Sequence, residues 1–184
     1  MFWWLWLIII VLAIIILLFV YYYNRIVVLS NRIDNAYSQI DVQLKKRNDL
    51  IPNLVATVKG YTKHEKGIFE EIAKARAAML GAKNLDTKFK ASDMLSNALK
   101  SLFAVAENYP NLKANENFKE LQQELSDIES KIAYTRQFFN DSILVYNNTV
   151  TTFPGVIFAG IFGKQKKDYL QITQAERQNV KVEF

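Results

Sequence analysis

The first 20 residues of this chain form one uninterrupted apolar run, MFWWLWLIIIVLAIIILLFV, which contains no charged residue, glycine or proline. A helix needs about 20 such residues to cross the ~30 Å hydrocarbon core of a bilayer. Aromatic residues lie at both ends of the run, where a spanning helix carries its two aromatic belts: Trp3, Trp4, Trp6, Tyr21, Tyr22 and Tyr23. The run therefore predicts a transmembrane anchor over residues 1–24.

A cleaved signal peptide is one alternative, but it would have a basic start, a shorter apolar stretch and a small-residue cleavage site. A buried helix of a soluble protein is the other. Basic residues follow the run at Arg25 and Arg32, and none precedes it except the terminal amine. By the positive-inside rule we expect a single-pass protein of the cytoplasmic membrane, with its N-terminus outside and the rest in the cytoplasm.

Charge and composition narrow the function classes. The chain has 23 basic and 18 acidic residues, and the two signs are interspersed. A nucleic-acid binder would instead show a concentrated basic stripe, so we expect the lipid bilayer, and not nucleic acid, as the negatively charged partner. Because cysteine is absent, disulfides, thiol catalysis and thiolate metal ligands are excluded.

Apolar residues recur every three or four positions through most of residues 25–150, which is typical of helices with one buried face. Their lengths run long, short, short, long, and the first continues from the anchor without a breaker. Pro52 lies inside this first helix and predicts a kink. Short connections make successive helices antiparallel. We therefore predict an all-α fold, in which a single N-terminal transmembrane helix continues into an antiparallel four-helix bundle.

Turn and capping residues predict the boundaries of the shorter helices. The order Thr62-Lys63-His64-Glu65 matches a capping box at the start of the second helix. We expect that helix to end at Gly81 and a turn to follow at residues 84–88. We expect the third helix to end at Pro110, a loop at residues 111–114 and the N-cap of the fourth helix at Asn115.

The segment 151–167 contains eleven mostly apolar residues, 153–163, followed by lysines. It is too short to span a bilayer, and the fourth helix must bring it back to the membrane that the first helix leaves. We predict a membrane-interfacial foot; a loop packed on the base of the bundle is the alternative. The residues expected at the interface, besides the two aromatic belts, are Arg25, Phe153, Phe158, Phe162, Lys164, Lys166 and Lys167.

The tail, residues 168–184, ends in an alternating pattern, Val180-Lys181-Val182-Glu183-Phe184, that suits a strand. The rest of the chain offers no sheet for it to join. We expect this tail to be disordered in a monomer or to form a strand only in an assembly.

Two arginines occupy apolar stripes of the long helices. With those helices antiparallel, Arg47 is expected opposite Glu129, and Arg136 within a turn of Asp41. Such buried or half-buried ion pairs would set the register of the bundle. The alternative is that both arginines extend their charged ends to solvent.

Residues with catalytic potential are scarce. His64 is the only histidine, and its position at a predicted helix start indicates a solvated or capping residue. The chain has no H-E-x-x-H, EF-hand loop, P-loop or G-x-S-x-G motif. We therefore expect no enzyme activity, no metal and no cofactor.

Long stretches of the chain, among them NRIDNAYSQIDVQLKKR, closely resemble the LemA family. They are residues 31–47, 49–55, 58–61, 102–107, 109–110, 112–118, 132–134, 136–141, 146–147 and 153–163. The resemblance implies a bacterial membrane protein with a short outer N-terminus, one transmembrane helix and a cytoplasmic four-helix bundle. It implies no known catalytic activity, and a related magnetosome-membrane protein points to membrane organisation.

Two roles follow as expectations. The first is a self-assembling, homo-oligomeric membrane scaffold, suggested by the continuous anchor, the foot and the unpaired tail. The second is a monomeric or dimeric adaptor that docks a membrane-protein partner, such as a protease or a signalling protein.

Overall fold

The structure, a computed structural model, describes residues 3–62 and 65–170. All regular secondary structure in these two ranges is α-helical, so the predicted all-α class is confirmed. The helices are α1 (Trp3–Lys59), α2 (Lys66–Gly81), α3 (Leu85–Ala106), α4 (Pro110–Ala114), α5 (Glu116–Thr151) and α6 (Gly155–Ile161). The predictions made for His64 and for a strand at 180–184 lie outside the described residues.

Helix α1 joins the apolar run to the first amphipathic stripe in one element of 57 residues. Every side chain from Trp3 to Val20 is exposed, and within the described ranges α1 alone is long and apolar enough to cross a bilayer. Pro52 lies inside α1, which continues past it to Lys59; the predicted kink stays a prediction.

Three boundary predictions are wrong: the start of the second helix, the turn at 84–88 and the loop at 111–114. Helix α2 begins at Lys66 with Glu65 as its N-cap, and the Thr62 hydroxyl donates to the Val58 carbonyl at 3.1 Å instead of capping a helix. The turn expected at 84–88 is the start of α3, since Asn84 accepts the Thr87 N–H at 2.9 Å in a capping box.

The loop expected at 111–114 is helical and belongs to α4, because Pro110 occupies the first turn of that helix, where a missing N–H costs nothing. Asn115 caps α5 as predicted, and its side-chain oxygen accepts the Phe118 N–H at 2.9 Å.

The described chain divides into two compact units. Unit 1 comprises residues 1–38 and 136–184, and unit 2 comprises residues 39–135. The core of unit 2 contains apolar side chains from five helices, and each one buried contributes about 1.5–3 kcal/mol. They include Ile51, Leu54 and Val58 of α1, Ile72 of α2, Leu95, Leu99 and Leu102 of α3, Leu112 of α4, and Phe118 and Leu125 of α5.

Candidate membrane-interface site

In unit 1, α6 packs against the last turns of the apolar run. The Phe158 ring stacks on Tyr22 with centroids 5.0 Å apart and planes 7° from parallel. The Phe162 ring meets Phe19 and Tyr23 edge to face, at 4.9 and 5.3 Å. Such aromatic pairs contribute about 0.5–1.5 kcal/mol each beyond their buried area. They hold α6 level with residues 19–23 of the anchor.

Gly155 allows this close approach at the first residue of α6. A Cβ atom there would lie 2.0 Å from the Thr149 carbonyl oxygen and 3.1 Å from Cε1 of Tyr22. Any other residue would therefore have to move α6 away from its neighbours. The sequence pattern gives no sign of this role for Gly155, because the neighbours of Gly155 belong to two other helices.

The other side of α6, together with Phe153 two residues before it, presents apolar side chains to the surroundings. Phe153 is 80% exposed and Ile161 64%, and Val156 and Ile157 are also exposed. Phe158 and Phe162, which were expected at the interface, are half-buried against the anchor. The seven-residue helix thus has two apolar faces, and its sequence pattern did not say which one is covered.

The lysines after α6 also differ in their surroundings. Lys164 and Lys166 are exposed. Lys167 instead turns into unit 1, where its Nζ donates to Ser30 Oγ at 3.3 Å and lies 5.3 Å from the centre of the Tyr146 ring. Burial raises the pKa of the Tyr146 phenol. Lys167 therefore secures the segment that follows α6.

Two asparagines of α5 hold this extended segment by its backbone. Asn147 accepts the Lys167 N–H and donates to the Lys167 carbonyl, both at 2.8 Å. Asn140 binds Leu170 in the same way, at 2.9 and 3.2 Å. Residues seven apart on a helix and three apart on an extended chain are both separated by about 10 Å, so the two spacings match.

Residues 168–170 begin the segment 168–184 that was predicted to be disordered or to form a strand in an assembly, and within them Leu170 is buried and bonded to Asn140. Disorder of the tail in a monomer, or a strand formed only in an assembly, stays a prediction. Residues 171–184 lie beyond the described part of the chain. The spacing of Asn140 and Asn147 by two helical turns was the only sequence signal for a site that binds an extended backbone. The spacing alone does not specify which segment binds there.

A buried polar cluster lies in unit 2 around Arg47. Its guanidinium donates to Ser92 Oγ at 3.0 Å and to Ser96 Oγ at 2.9 Å, and it lies 3.0 Å from a Glu129 carboxylate oxygen. Burial lowers the pKa of Arg47, while the charges of Glu129 and Asp93 oppose this effect. The expected Arg47–Glu129 pair is thus present, and its role in setting the register stays a prediction.

A second contact joins the residues next to the ends of the same two helices. Asn115 Nδ2 donates to the Tyr61 hydroxyl at 3.0 Å. Tyr61 lies just after the end of α1, and Asn115 lies just before the start of α5.

Asp41 has a partner that the sequence analysis missed. Lys88 of α3 donates to both carboxylate oxygens of Asp41 at 2.6 Å. The pairing of Asp41 with Arg136 stays a prediction. Among the described residues, no group of three or more histidines and carboxylates could hold a metal ion.

Comparison with known proteins adds the family and several relatives. The model of the LemA family matches residues 36–184. The chain is 25% identical over 174 residues to magnetosome protein MamQ 2 of Paramagnetospirillum magneticum, covering 80% of this chain and 64% of the relative. It is also 25% identical over 172 residues to magnetosome protein MamQ of Magnetospirillum gryphiswaldense, covering 79% and 63%. The chain therefore spans slightly less than two thirds of the length of these relatives.

Proposed function

Since this chain belongs to the LemA family of membrane proteins, we propose that it is a non-enzymatic, self-associating membrane scaffold. In this proposal its long helices form an antiparallel four-helix bundle on the cytoplasmic side of the bacterial inner membrane. The protein contacts the bilayer at two places, through α1 and through the exposed face of α6. The observation that carries the proposal is the packing of α6 on the anchor residues Phe19, Tyr22 and Tyr23.

The position of α6 supports the second contact. If residues 3–22 cross the hydrocarbon core, α6 lies at its edge, beside the last turns of the span. Four exposed apolar side chains would then enter the boundary between acyl chains and headgroups: Phe153, Val156, Ile157 and Ile161. At about 1 kcal/mol for each partly buried side chain, the contact contributes roughly 4 kcal/mol. A contact of this size restricts the tilt of unit 1 to the membrane.

Restricted tilt favours self-association. Copies that share one orientation on a surface lose less rotational freedom when they associate than copies that tumble about a single tether. The names of the two magnetosome relatives are consistent with a role in membrane organisation, and they support this proposal by analogy.

The mass of the purified full chain in mild detergent tests self-association. One chain has a mass of 21.3 kDa. Mass photometry of protein crosslinked in the membrane before extraction, together with native mass spectrometry, should show a discrete multiple of this mass. A single-chain mass at every concentration would overturn the scaffold.

The membrane contact of α6 can be tested on the full chain, because the natural sequence has no cysteine. Ile157→Cys carries a fluorophore in reconstituted vesicles, and Tyr134→Cys, also at an exposed position, is the matched control. Quenchers attached to acyl chains should quench the label at 157 and not the one at 134. Equal responses at both positions would show that α6 does not enter the interface.

Orientation needs its own measurement. Protease added outside intact spheroplasts should leave units 1 and 2 uncut, and it should cut them after the membrane is broken. Digestion from outside would overturn the cytoplasmic assignment.

A groove in unit 2 favours a second candidate, an adaptor that binds a partner protein. The cavity of about 430 Å³ is lined by Val42, Leu44, Met79, Leu80 and Asn48, among others. Asn48 is 3% exposed, and its side-chain oxygen has no hydrogen-bond partner among the described residues. In the same chain two asparagine amides each bind both backbone groups of one extended residue. The adaptor would use Asn48 in the same way, on an extended peptide of its partner.

In-cell photocrosslinking from position 80 separates the two candidates. The adaptor requires one dominant foreign partner, crosslinked through an extended segment and lost in Asn48→Ala. Crosslinks only between copies of this chain would favour the scaffold, and Asn97→Ala, on an exposed face of α3, is the control.

A further inference from the structure

A small cavity in unit 1 opens beside the end of the apolar run. Its volume is about 320 Å³, and its lining includes Tyr21, Tyr22 and Arg25 of α1 together with Asn148 of α5 and Thr152, which follows α5. No carboxylate belongs to this lining. A volume of this size lies at the lower end of the range for small-ligand clefts.

Arg25 is the only charged group of the cavity, and it has no ion-pair partner among the described residues. Arg47 of unit 2, in contrast, is bonded to two serines and a carboxylate. The Thr152 hydroxyl donates to the Asn148 carbonyl of α5, so it is not available as a donor to a ligand. The Arg25 guanidinium, the Asn148 side-chain amide and the tyrosine hydroxyls therefore remain as donors for an anionic ligand.

The position of the cavity along the bilayer normal indicates which anion can reach it. If Tyr22 ends the hydrocarbon span, Arg25 lies three residues further along α1, about 4–5 Å beyond it. The headgroup layer of one leaflet is about 5–8 Å thick. The guanidinium is therefore at the level of the lipid phosphates, next to the surface of the anchor along which an acyl chain would lie.

We propose that this cavity binds the phosphate group of an anionic phospholipid, with Arg25 as its principal ligand. A guanidinium matches two phosphate oxygens at once, which an ammonium cannot do. A zwitterionic headgroup would add a cation to a lining that has no carboxylate to receive it, so phosphatidylglycerol should bind better than phosphatidylcholine. The inference rests on the proposed membrane attachment and adds a specific lipid to it.

The test uses the full chain in nanodiscs of equal parts phosphatidylglycerol and phosphatidylcholine, released into mild detergent for native mass spectrometry. Wild-type protein should retain phosphatidylglycerol in preference to phosphatidylcholine. Arg25→Gln should reduce that retention about tenfold, since it removes charge-assisted hydrogen bonds to phosphate. Arg25→Lys should restore part of it. Arg32→Gln is the matched control, because Arg32 lies over the Phe138 ring and is not part of the cavity lining.

A second arm separates lipid from free phosphate. The delipidated chain is titrated with inorganic phosphate and followed by ³¹P NMR. Arg25-dependent binding of inorganic phosphate without preferential retention of phosphatidylglycerol would assign the cavity to a soluble anion and overturn the lipid proposal.

Carbonate extraction of cell membranes separates failure of this inference from failure of the proposed function. Wild type and Arg25→Gln should both stay in the membrane fraction, with unchanged circular dichroism. Release of the wild type would overturn membrane attachment itself. Stable attachment with equal phosphatidylglycerol retention by Arg25→Gln and Arg32→Gln would overturn only the lipid site.

Discussion

The guanidinium of Arg47 lies 3.0 Å from the carboxylate of Glu129, although Arg47 is 3% exposed and the Glu129 side chain is 54% exposed. The two members of this ion pair therefore depend on it unequally. Burial has removed the hydration of the Arg47 guanidinium, so its charge depends on its protein partners. The Glu129 carboxylate would instead be hydrated if the pair were broken.

Removal of the carboxylate should destabilise unit 2. We expect Glu129→Ala to cost about 1–2 kcal/mol, because Arg47, in a buried site, then loses the carboxylate that lies 3.0 Å from its guanidinium. Arg47→Met should cost less, since it removes the buried charge together with its need for a partner. Thermal unfolding of the full chain, followed by circular dichroism, measures both. Glu120→Ala, on an exposed face of α5, is the control, and equal losses at 120 and 129 would refute the prediction.

High pH should weaken the contact between Tyr109 and Glu65. The Tyr109 hydroxyl donates to Glu65 at 3.1 Å, and this hydrogen bond, with burial and the charge of Glu65, raises the pKa of the phenol. The contribution to stability is therefore complete below the unfolded-state pKa of about 10 and is lost as pH rises through the higher folded-state pKa.

The melting temperature should consequently fall above pH 10, and it should fall less steeply in Tyr109→Phe. Tyr134→Phe, at an exposed position, should follow the wild type. A Tyr109→Phe profile parallel to that of the wild type would count against the contact.

Gly155→Ala should release α6 from the anchor. The new methyl group would overlap the Thr149 carbonyl, and relief of such a clash costs typically about 1–3 kcal/mol. Hydrogen exchange of residues 155–162 should become faster. Gly160→Ala is a control in the same helix, because nothing lies within 4 Å of a Cβ at position 160. Faster exchange in both variants would point to a general change in α6 instead.

Asn147→Ala should free the backbone of the extended segment at one point. The Lys167 N–H loses its acceptor and the Lys167 carbonyl its donor, so exchange of that amide should rise about tenfold. Asn140→Ala should act in the same way at Leu170. Asn31→Ala, at an exposed position, should change neither amide. Wild-type exchange rates of the Lys167 and Leu170 amides in both variants would show that the two asparagines do not hold the segment.

Several features of the fold were predictable because they depend on local physics. The hydrogen bonds of a helix join residues four apart, so periodic apolar positions predicted the long helices. The apolar run and its aromatic ends predicted α1, and Asn115 was recognisable as a cap from its place before α5. Three boundaries were predicted wrongly, at Thr62, at residues 84–88 and at residues 111–114, because polar residues and proline occur both in turns and in the first turn of a helix.

The amino-acid sequence by itself determined that this chain is α-helical, that its first helix can span a bilayer, and that an apolar segment follows α5. Only the tertiary structure decided that Phe158 and Phe162 cover the anchor while Ile157 and Ile161 stay exposed. It also decided that Lys88 pairs with Asp41 and that Asn140 and Asn147 bind an extended backbone. Each of these contacts depends on the rotation and register of one element against another, and no spacing within a single element specifies them.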